Sequence, residues 1–223
     1  MLQHVWERTL QARYLTSTII ATDDERIFHA AKAFGAQVRL TRADHPSGTD
    51  RVAEVASASQ AEIIVNIQGD EPLIDPAAID AAILPLDHDR EVVMATLAKR
   101  IEDPCEIADP NVVKVVANRA GDAIYFSRCA IPYDRDGARR RHYFKHIGLY
   151  VYRRDFLLQY PTLPVGPLEQ TERLEQLRAI ENGYPIRVVE TEYDSLGVDT
   201  PEDLERVSRL FEASLTQRVE SNG

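Results

Sequence analysis

The chain has 223 residues, 44% of them apolar, with a formal net charge of −10 and a pI near 5.1. That length supports one large core, read here as a single domain over 1–223. The acidic balance excludes broad binding along a nucleic-acid backbone, which needs a concentrated basic surface, although local arginines and a metal can still hold a small anion.

Two cysteines, Cys105 and Cys129, share no metal-ligand spacing with each other or with the six histidines, which argues against zinc and for plain buried thiols in a reducing cytosol. No apolar run approaches the ~20 residues that span a bilayer, and the amino terminus lacks a signal-peptide core. The expectation is a cytoplasmic protein with neither membrane nor nucleic-acid partner.

Met1 to Ala12 reads as a helix, with Leu2, Val5, Trp6 and Leu10 at helical spacing. Thr16 to Ala21 follows as a strand, and Thr22-Asp23-Asp24 caps a helix over Glu25 to Phe34 that Gly35 closes. Gln37 to Thr41 is a second strand. After His45-Pro46-Ser47-Gly48-Thr49-Asp50 a helix starts near Arg51. A Ser-Gly-Thr turn before a helix offers backbone N–H groups and hydroxyls to a base, sugar or phosphate, but is also an ordinary cap.

Ala61 to Val65 is a short β-branched run of the kind buried on both faces of a parallel sheet. Asp75-Pro76 starts the next helix, and Glu91 to Lys99 is another strand. The order β-α-β-α-β-α-β points to a mostly parallel sheet with right-handed crossovers.

Beyond Asp103-Pro104 the pattern changes. Val112 to Ala117 and Ala123 to Ser127 form a hairpin, and Tyr143 to Arg153 returns as a strand. The polar loop between them, with Arg135, Arg139, Arg140 and Arg141, reads as a surface loop or a phosphate clamp. Leu168 to Asn182 reads as one charged helix with Leu174, Leu177 and Ile180 inward and most of its charges on a solvated face. Ile186 to Glu190 gives a last strand. Thr200-Pro201 then caps a final helix packed down by Leu204, Val207 and Leu210.

The chemistry centres on Asn66-Ile67-Gln68-Gly69-Asp70-Glu71-Pro72, at the carboxyl end of the Ala61–Val65 strand. In open α/β sheets ligands bind at those ends, and an acid beside a glycine there suits metal and phosphate. Asp199, before the last helix, is a second such acid, although it also favours the helix dipole. With oxygen donors and no thiolate or imidazole cluster, Mg²⁺ is the natural metal and nucleotidyl transfer the natural chemistry.

Eight segments resemble the cytidylyltransferases that activate the eight-carbon acid sugar Kdo, the CMP-Kdo synthetases. They are Ala21-Thr22-Asp23-Asp24, Ser47-Gly48-Thr49-Asp50-Arg51, Val65 to Pro72, Asp109-Pro110-Asn111-Val112-Val113-Lys114, Tyr125-Phe126-Ser127-Arg128, His146-Ile147-Gly148-Leu149-Tyr150, Leu174-Glu175-Gln176-Leu177-Arg178 and Val198 to Leu204. They run through nearly the whole chain in family order. The resemblance implies a Rossmann-like nucleotidyltransferase sheet with helices on both faces and an antiparallel subregion for dimerisation and sugar binding. It implies attack by the anomeric hydroxyl of Kdo on the α-phosphorus of CTP, giving CMP-Kdo and pyrophosphate for lipopolysaccharide synthesis, in a homodimer.

Carried over by residue, Asp70 and Asp199 hold Mg²⁺ and are the catalytic acids. Gln68, Arg128, His146, Glu175 and Gln176 line the acid-sugar pocket, and Ser47, Gly48 and Arg51 lie on the cytidine side. On their residue types alone, His146 reads as a hydrogen-bonded packing residue and Glu175 as helix surface, and only the resemblance raises them to site residues. A cytidylyltransferase for another acid sugar, or a noncatalytic nucleotide- or sugar-binding relative, are the competing readings.

The chain departs from the family pattern in one place. The family begins with a strand and a loop resembling Ile-Pro-Ala-Arg followed by Ser, Arg, Pro, Gly and Lys, whereas Met1 to Val5 corresponds to the helix after that loop. The expectation is an N-terminally incomplete domain with a gap in its sheet, apolar side chains bordering it and impaired triphosphate binding.

Overall fold

The computed structural model describes residues 1–135, 142–198 and 200–221. In chain order the helices are α1 (Leu2–Thr9), α2 (Glu25–Ala33), α3 (Gly48–Ser57), α4 (Pro76–His88), α5 (Pro104–Ala108), α6 (Arg154–Gln159), α7 (Pro167–Glu172), α8 (Leu177–Glu181) and α9 (Pro201–Ser221). The strands are β1 (Ile19–Thr22), β2 (Gln37–Leu40), β3 (Ile63–Asn66), β4 (Met94–Arg100), β5 (Lys114–Ala117), β6 (Ala123–Ser127), β7 (Phe144–Arg153) and β8 (Arg187–Glu190).

The larger sheet runs β6-β5-β7-β4-β8, with β3 on β7. Because β3, β4 and β5 each pair antiparallel with β7, and β8 pairs parallel with β4, those four strands share one direction and β6 and β7 run against them. The hairpin and the long return strand thus supply the antiparallel part of an α/β sheet. β3 differs from its expectation: it is an edge strand beside an antiparallel neighbour, because β7 is inserted between β3 and β4.

The long strands alternate their side chains between two cores, as a period of two requires. Ala95 and Leu97 of β4 and Ile147, Leu149 and Val151 of β7 pack with α1 and α4. Met94 and Ala98 of β4 and Tyr152 of β7 pack with α3, α6 and α8. Helices therefore cover both faces.

β1 and β2 form a separate parallel pair with its own small core of Ile20, Ala31 and Ala36 backed by Leu2, Trp6 and Phe34. Consecutive residues of β1 (Ile19, Ile20, Ala21) and of β3 (Ile63 to Asn66) face one cavity of about 510 Å³, floored by Leu2, Val5, Val52 and Val55. A sheet face shows alternate residues and a strand edge shows successive ones, so this groove lies between two strand edges. Among the described residues β1 and β3 share no ladder.

The caps follow the sequence closely. Asp24 accepts from the amides of Arg26 and Ile27, Asp75 from that of Ala77, and Thr200 and Asp203 cap each other's backbone amides at 3.2 and 3.1 Å.

Other expectations fail for physical reasons. Leu168–Asn182 is not one helix: Arg173 takes φ 56°, a left-handed conformation that ends α7 before α8 begins. Within this stretch Glu169 and Arg178 form a buried bidentate pair at 2.6 and 2.8 Å. Both cysteines are exposed, Cys105 in the first turn of α5, whose N-cap Asp103 accepts from its amide, and Cys129 just past the end of β6. On α9 only Val207 of the three expected anchors is buried, while Leu204 and Leu210 are exposed. Arg139, Arg140 and Arg141 lie outside the described residues.

Candidate active site

The nucleotide-side residues sit at the start of α3, which begins at Gly48 rather than near Arg51. Ser47 is therefore the N-cap, accepting from the Asp50 amide at 3.3 Å, and Gly48-Thr49-Asp50 form the first turn. Arg51 fastens that turn to the carboxyl ends of two strands: it pairs with Asp23 after β1 at 3.0 Å and donates to Thr41 after β2 at 2.6 Å. Gly48, Arg51, Asn66, Gln68 and Gly69 line the end of the groove between β1 and β3.

The residues expected on the sugar side come from four elements, and hydrogen bonds from Ser47 and Thr49 to Glu175 join them to the residues expected on the nucleotide side. Ser47 Oγ lies 2.9 Å from Glu175 Oε1 and 2.6 Å from Asp50 Oδ2; its single hydrogen serves one carboxylate at a time. Burial raises the Glu175 carboxyl above its ordinary range, against the lowering effect of the Ser47 and Thr49 hydroxyls and of Arg178. The turn between α7 and α8 presents Glu175 this way, and Tyr160 holds it by donating to the Glu175 carbonyl at 2.7 Å. Gln176 follows at 4% exposure, and its Nε2 is buried with no hydrogen-bond partner among the described residues. Such an orphaned donor is costly, so a ligand oxygen would be well received there.

His146 lies on β7 beside a register shift in the β4–β7 ladder at Thr96/Leu97, the kind of irregularity that re-aims side chains. Its Nε2 is 2.9 Å from Thr96 Oγ1, which also lies 2.8 Å from the Leu149 carbonyl. With its hydrogen given to that carbonyl, Thr96 accepts from Nε2–H, leaving Nδ1 as the acceptor nitrogen. The ring packs edge-on against Phe126 at 5.0 Å, and burial pushes the pKa down to about 3. His146 is a neutral hydrogen-bonding group.

Arg128, just after β6, donates from Nε to the Glu172 carbonyl at 2.8 Å and from Nη1 to the Pro110 carbonyl at 3.0 Å. These bonds use two of five guanidinium donors and fix the plane of the group. Beside it, Lys114 is fully buried and gives its ammonium to the carbonyls of Asp109 and Val112 at 2.7 and 2.6 Å. Burial lowers its pKa, and Arg128 adds to the effect. Glu172 completes the cluster, accepting from Ser127 Oγ at 2.6 Å and from the Arg128 amide at 3.0 Å.

Asp70 stands in the turn after β3. The Val198 amide donates to the Asp70 carbonyl at 3.0 Å, which brings the chain just before Asp199 to that turn; Asp199 itself lies outside the described residues. Among the described residues no group of three or more His, Cys, Asp or Glu forms a metal cage. The donor chemistry fits a hard cation held by one or two carboxylates plus substrate phosphates.

Sequence reasoning missed Glu71, Lys114, Glu172 and Thr96. Glu71 and Lys114 lie inside quoted motifs, but nothing in their spacing marked them as buried. Thr96 sits in a plain strand and gave no signal.

A family model described as cytidylyltransferase matches residues 1–191. A Solibacter usitatus (strain Ellin6076) protein named 3-deoxy-manno-octulosonate cytidylyltransferase is 78% identical over 217 residues, covering 97% of this chain and 86% of that relative. The chain belongs to this cytidylyltransferase family. A Geobacter metallireducens (strain ATCC 53774 / DSM 7210 / GS-15) protein of the same name is 54% identical, covering 93% of this chain and 85% of the relative. A solved structure of a CMP:2-keto-3-deoxy-manno-octonic acid synthetase complexed with CTP matches with TM-score 0.91 and 44% identity, covering 96% of this chain and 88% of that one. A 4-diphosphocytidyl-2C-methyl-D-erythritol synthase from Anaerococcus prevotii, at 13% identity and TM-score 0.62, shares the fold alone.

For a cytidylyltransferase the arrangement is chemically coherent. The residues expected on the nucleotide side and on the sugar side meet at Ser47 and Glu175.

Proposed function

We propose that this chain transfers CMP from CTP to Kdo, giving CMP-Kdo and pyrophosphate for lipopolysaccharide synthesis. The observation that carries the reading is the Ser47–Glu175 contact, which joins the expected cytidine loop to the expected sugar loop across 128 positions of sequence. In the reaction the anomeric oxygen forms a bond to the α-phosphorus, the bond from that phosphorus to the bridging oxygen breaks, and pyrophosphate departs. The hydroxyl proton passes to solvent.

Ser47, Gly48 and Arg51 would seat the nucleotide. The guanidinium of Arg128, its plane already fixed by two carbonyls, would pair with the sugar carboxylate, and such bidentate pairs give both energy and orientation. His146 Nδ1, Glu175, Gln176 and Gln68 would read the sugar hydroxyls, where unmatched partners penalise the wrong sugar. Asp70 and Asp199 would hold Mg²⁺. That ion would lower the cost of charge at the phosphates and help bring two anions together.

We infer that residues 1–223 form a single cytidylyltransferase domain, in the compartment that holds the nucleoside triphosphate pool, the cytoplasm. No described helix is long and apolar enough to cross a membrane. We also infer a homodimer. The antiparallel subregion is its expected interface, and light scattering tests the dimer.

The deciding assay is Mg²⁺-dependent pyrophosphate release from CTP plus Kdo, beside Asp70→Ala. Release with Kdo that exceeds release with other acid sugars, and that falls at least about 100-fold on the substitution, is expected. Binding without release would instead favour a noncatalytic relative.

A further inference from the structure

We propose that Glu71 is a positioning residue whose buried carboxylate holds the segment 193–198 against the Asp70 turn. The inference rests on the reading that Asp70 and Asp199 hold the metal, and adds a residue that sets their relation. Glu71 is 6% exposed. Its Oε2 accepts from the Tyr193 hydroxyl at 3.0 Å, and the Ser195 side chain hydrogen-bonds the same carboxylate. The backbone of the neighbouring Asp70 accepts from the Val198 amide at 3.0 Å.

Residues 191–198 have neither helix nor strand, so side chains rather than a ladder fix their path. The near end is anchored by the Thr191 amide on the Ala98 carbonyl at 2.9 Å, and by Asp194 on Lys145 at 2.8 Å and Lys99 at 3.2 Å. At the far end Glu71 and the backbone bond from Val198 to Asp70 tie the segment to the Asp70 turn. A buried carboxylate is a costly way to fill space unless its hydrogen bonds are used. Here they join two segments 122 positions apart in sequence, one bearing Asp70 and the other leading directly into Asp199. Release of Glu71 would remove the side-chain bonds that tie the segment leading into Asp199 to the Asp70 turn.

The test titrates Mn²⁺ against the full chain with CTP and follows the Mn²⁺ electron paramagnetic resonance signal, read against Mn²⁺ and CTP without protein. Glu71→Ala is expected to weaken Mn²⁺ binding about tenfold or more, the scale on which partners of metal ligands act. Tyr193→Phe should weaken it by a few-fold. Glu71→Gln should restore affinity to within about twofold of wild type, because its amide oxygen still accepts from Tyr193. CTP affinity without metal should stay unchanged throughout.

A folded Glu71→Ala protein that binds Mn²⁺ like the wild type overturns the proposal. If that variant does not fold, Tyr193→Phe decides, and unchanged affinity there overturns it equally. Asp70→Ala separates the two levels: wild-type Mn²⁺ binding by that variant removes the metal reading and the positioning role with it. Loss in Asp70→Ala together with no loss in Glu71→Ala removes the positioning role alone.

Discussion

At the scale of single residues, His146 and Glu175 titrate in opposite senses, and both senses can be measured. The pKa of His146 is about 3, depressed from 6.5 by burial. As pH falls below 6.5 the unfolded chain takes up the proton first, so native stability is lost on that side and levels off near pH 3. The wild-type stability curve should lose up to about 1.4 kcal/mol per pH unit relative to His146→Asn, with the full slope reached by pH 5. Urea unfolding at a series of pH values measures this, and parallel curves would mean the ring is not held neutral. Glu175 has a carboxyl raised by burial, so the stability it contributes falls as pH rises above the ordinary glutamate range. Glu175→Gln should therefore keep or raise the unfolding temperature at pH 7 while CMP-Kdo formation drops by about tenfold or more, the trade common at sites built for ligands. A drop in both would show instead that the carboxylate is needed for the fold.

At the scale of elements, the caps were legible because they are local: Asp24, Asp75 and Thr200 lie within a few residues of the amides or side chains they bond. The break between α7 and α8 was not legible. Leu174, Leu177 and Ile180 keep helical spacing just past Arg173, and an arginine gives no warning of a left-handed turn, for which glycine is the usual signal. Tertiary contacts impose the break, chiefly the Glu169–Arg178 pair that binds one short helix to the next and the hold of Tyr160 on Glu175. Glu169→Ala leaves a buried guanidinium uncompensated and should cost about 3–5 kcal/mol in chemical denaturation. Glu169→Leu with Arg178→Met should recover most of that loss. If the double variant is no better than the single, the pair is required for the turn itself and not merely paid for by it.

At the scale of the whole molecule, the resemblance carried the helices on both faces and the sequence order the reversal of β6, since the short loop after β5 forces antiparallel pairing. It did not carry the insertion of β7 between β3 and β4, because strand neighbours far apart in sequence leave no local mark. The site was legible only through the resemblance: His146 and Glu175 have ordinary surroundings in sequence, and their hydrogen bonds to Thr96 and Ser47 span 50 and 128 positions. The groove between β1 and β3 is where this topology has its weakest backbone pairing. β4 is paired on both sides, with β7 and with β8, whereas β1 has β2 and β3 has β7 on one side only. Amide exchange follows the free energy of local opening, so amides of β4 and the β4-facing stretch of β7 should be the slowest in the protein. In β1 and β3, alternate amides that point into the groove should exchange many-fold faster than their strand-paired neighbours, at a pH where all other conditions are equal. Protection as strong in the groove-facing amides as in β4 would mean that the two edges are bridged in solution, and that β1 and β2 belong to one continuous sheet with the rest.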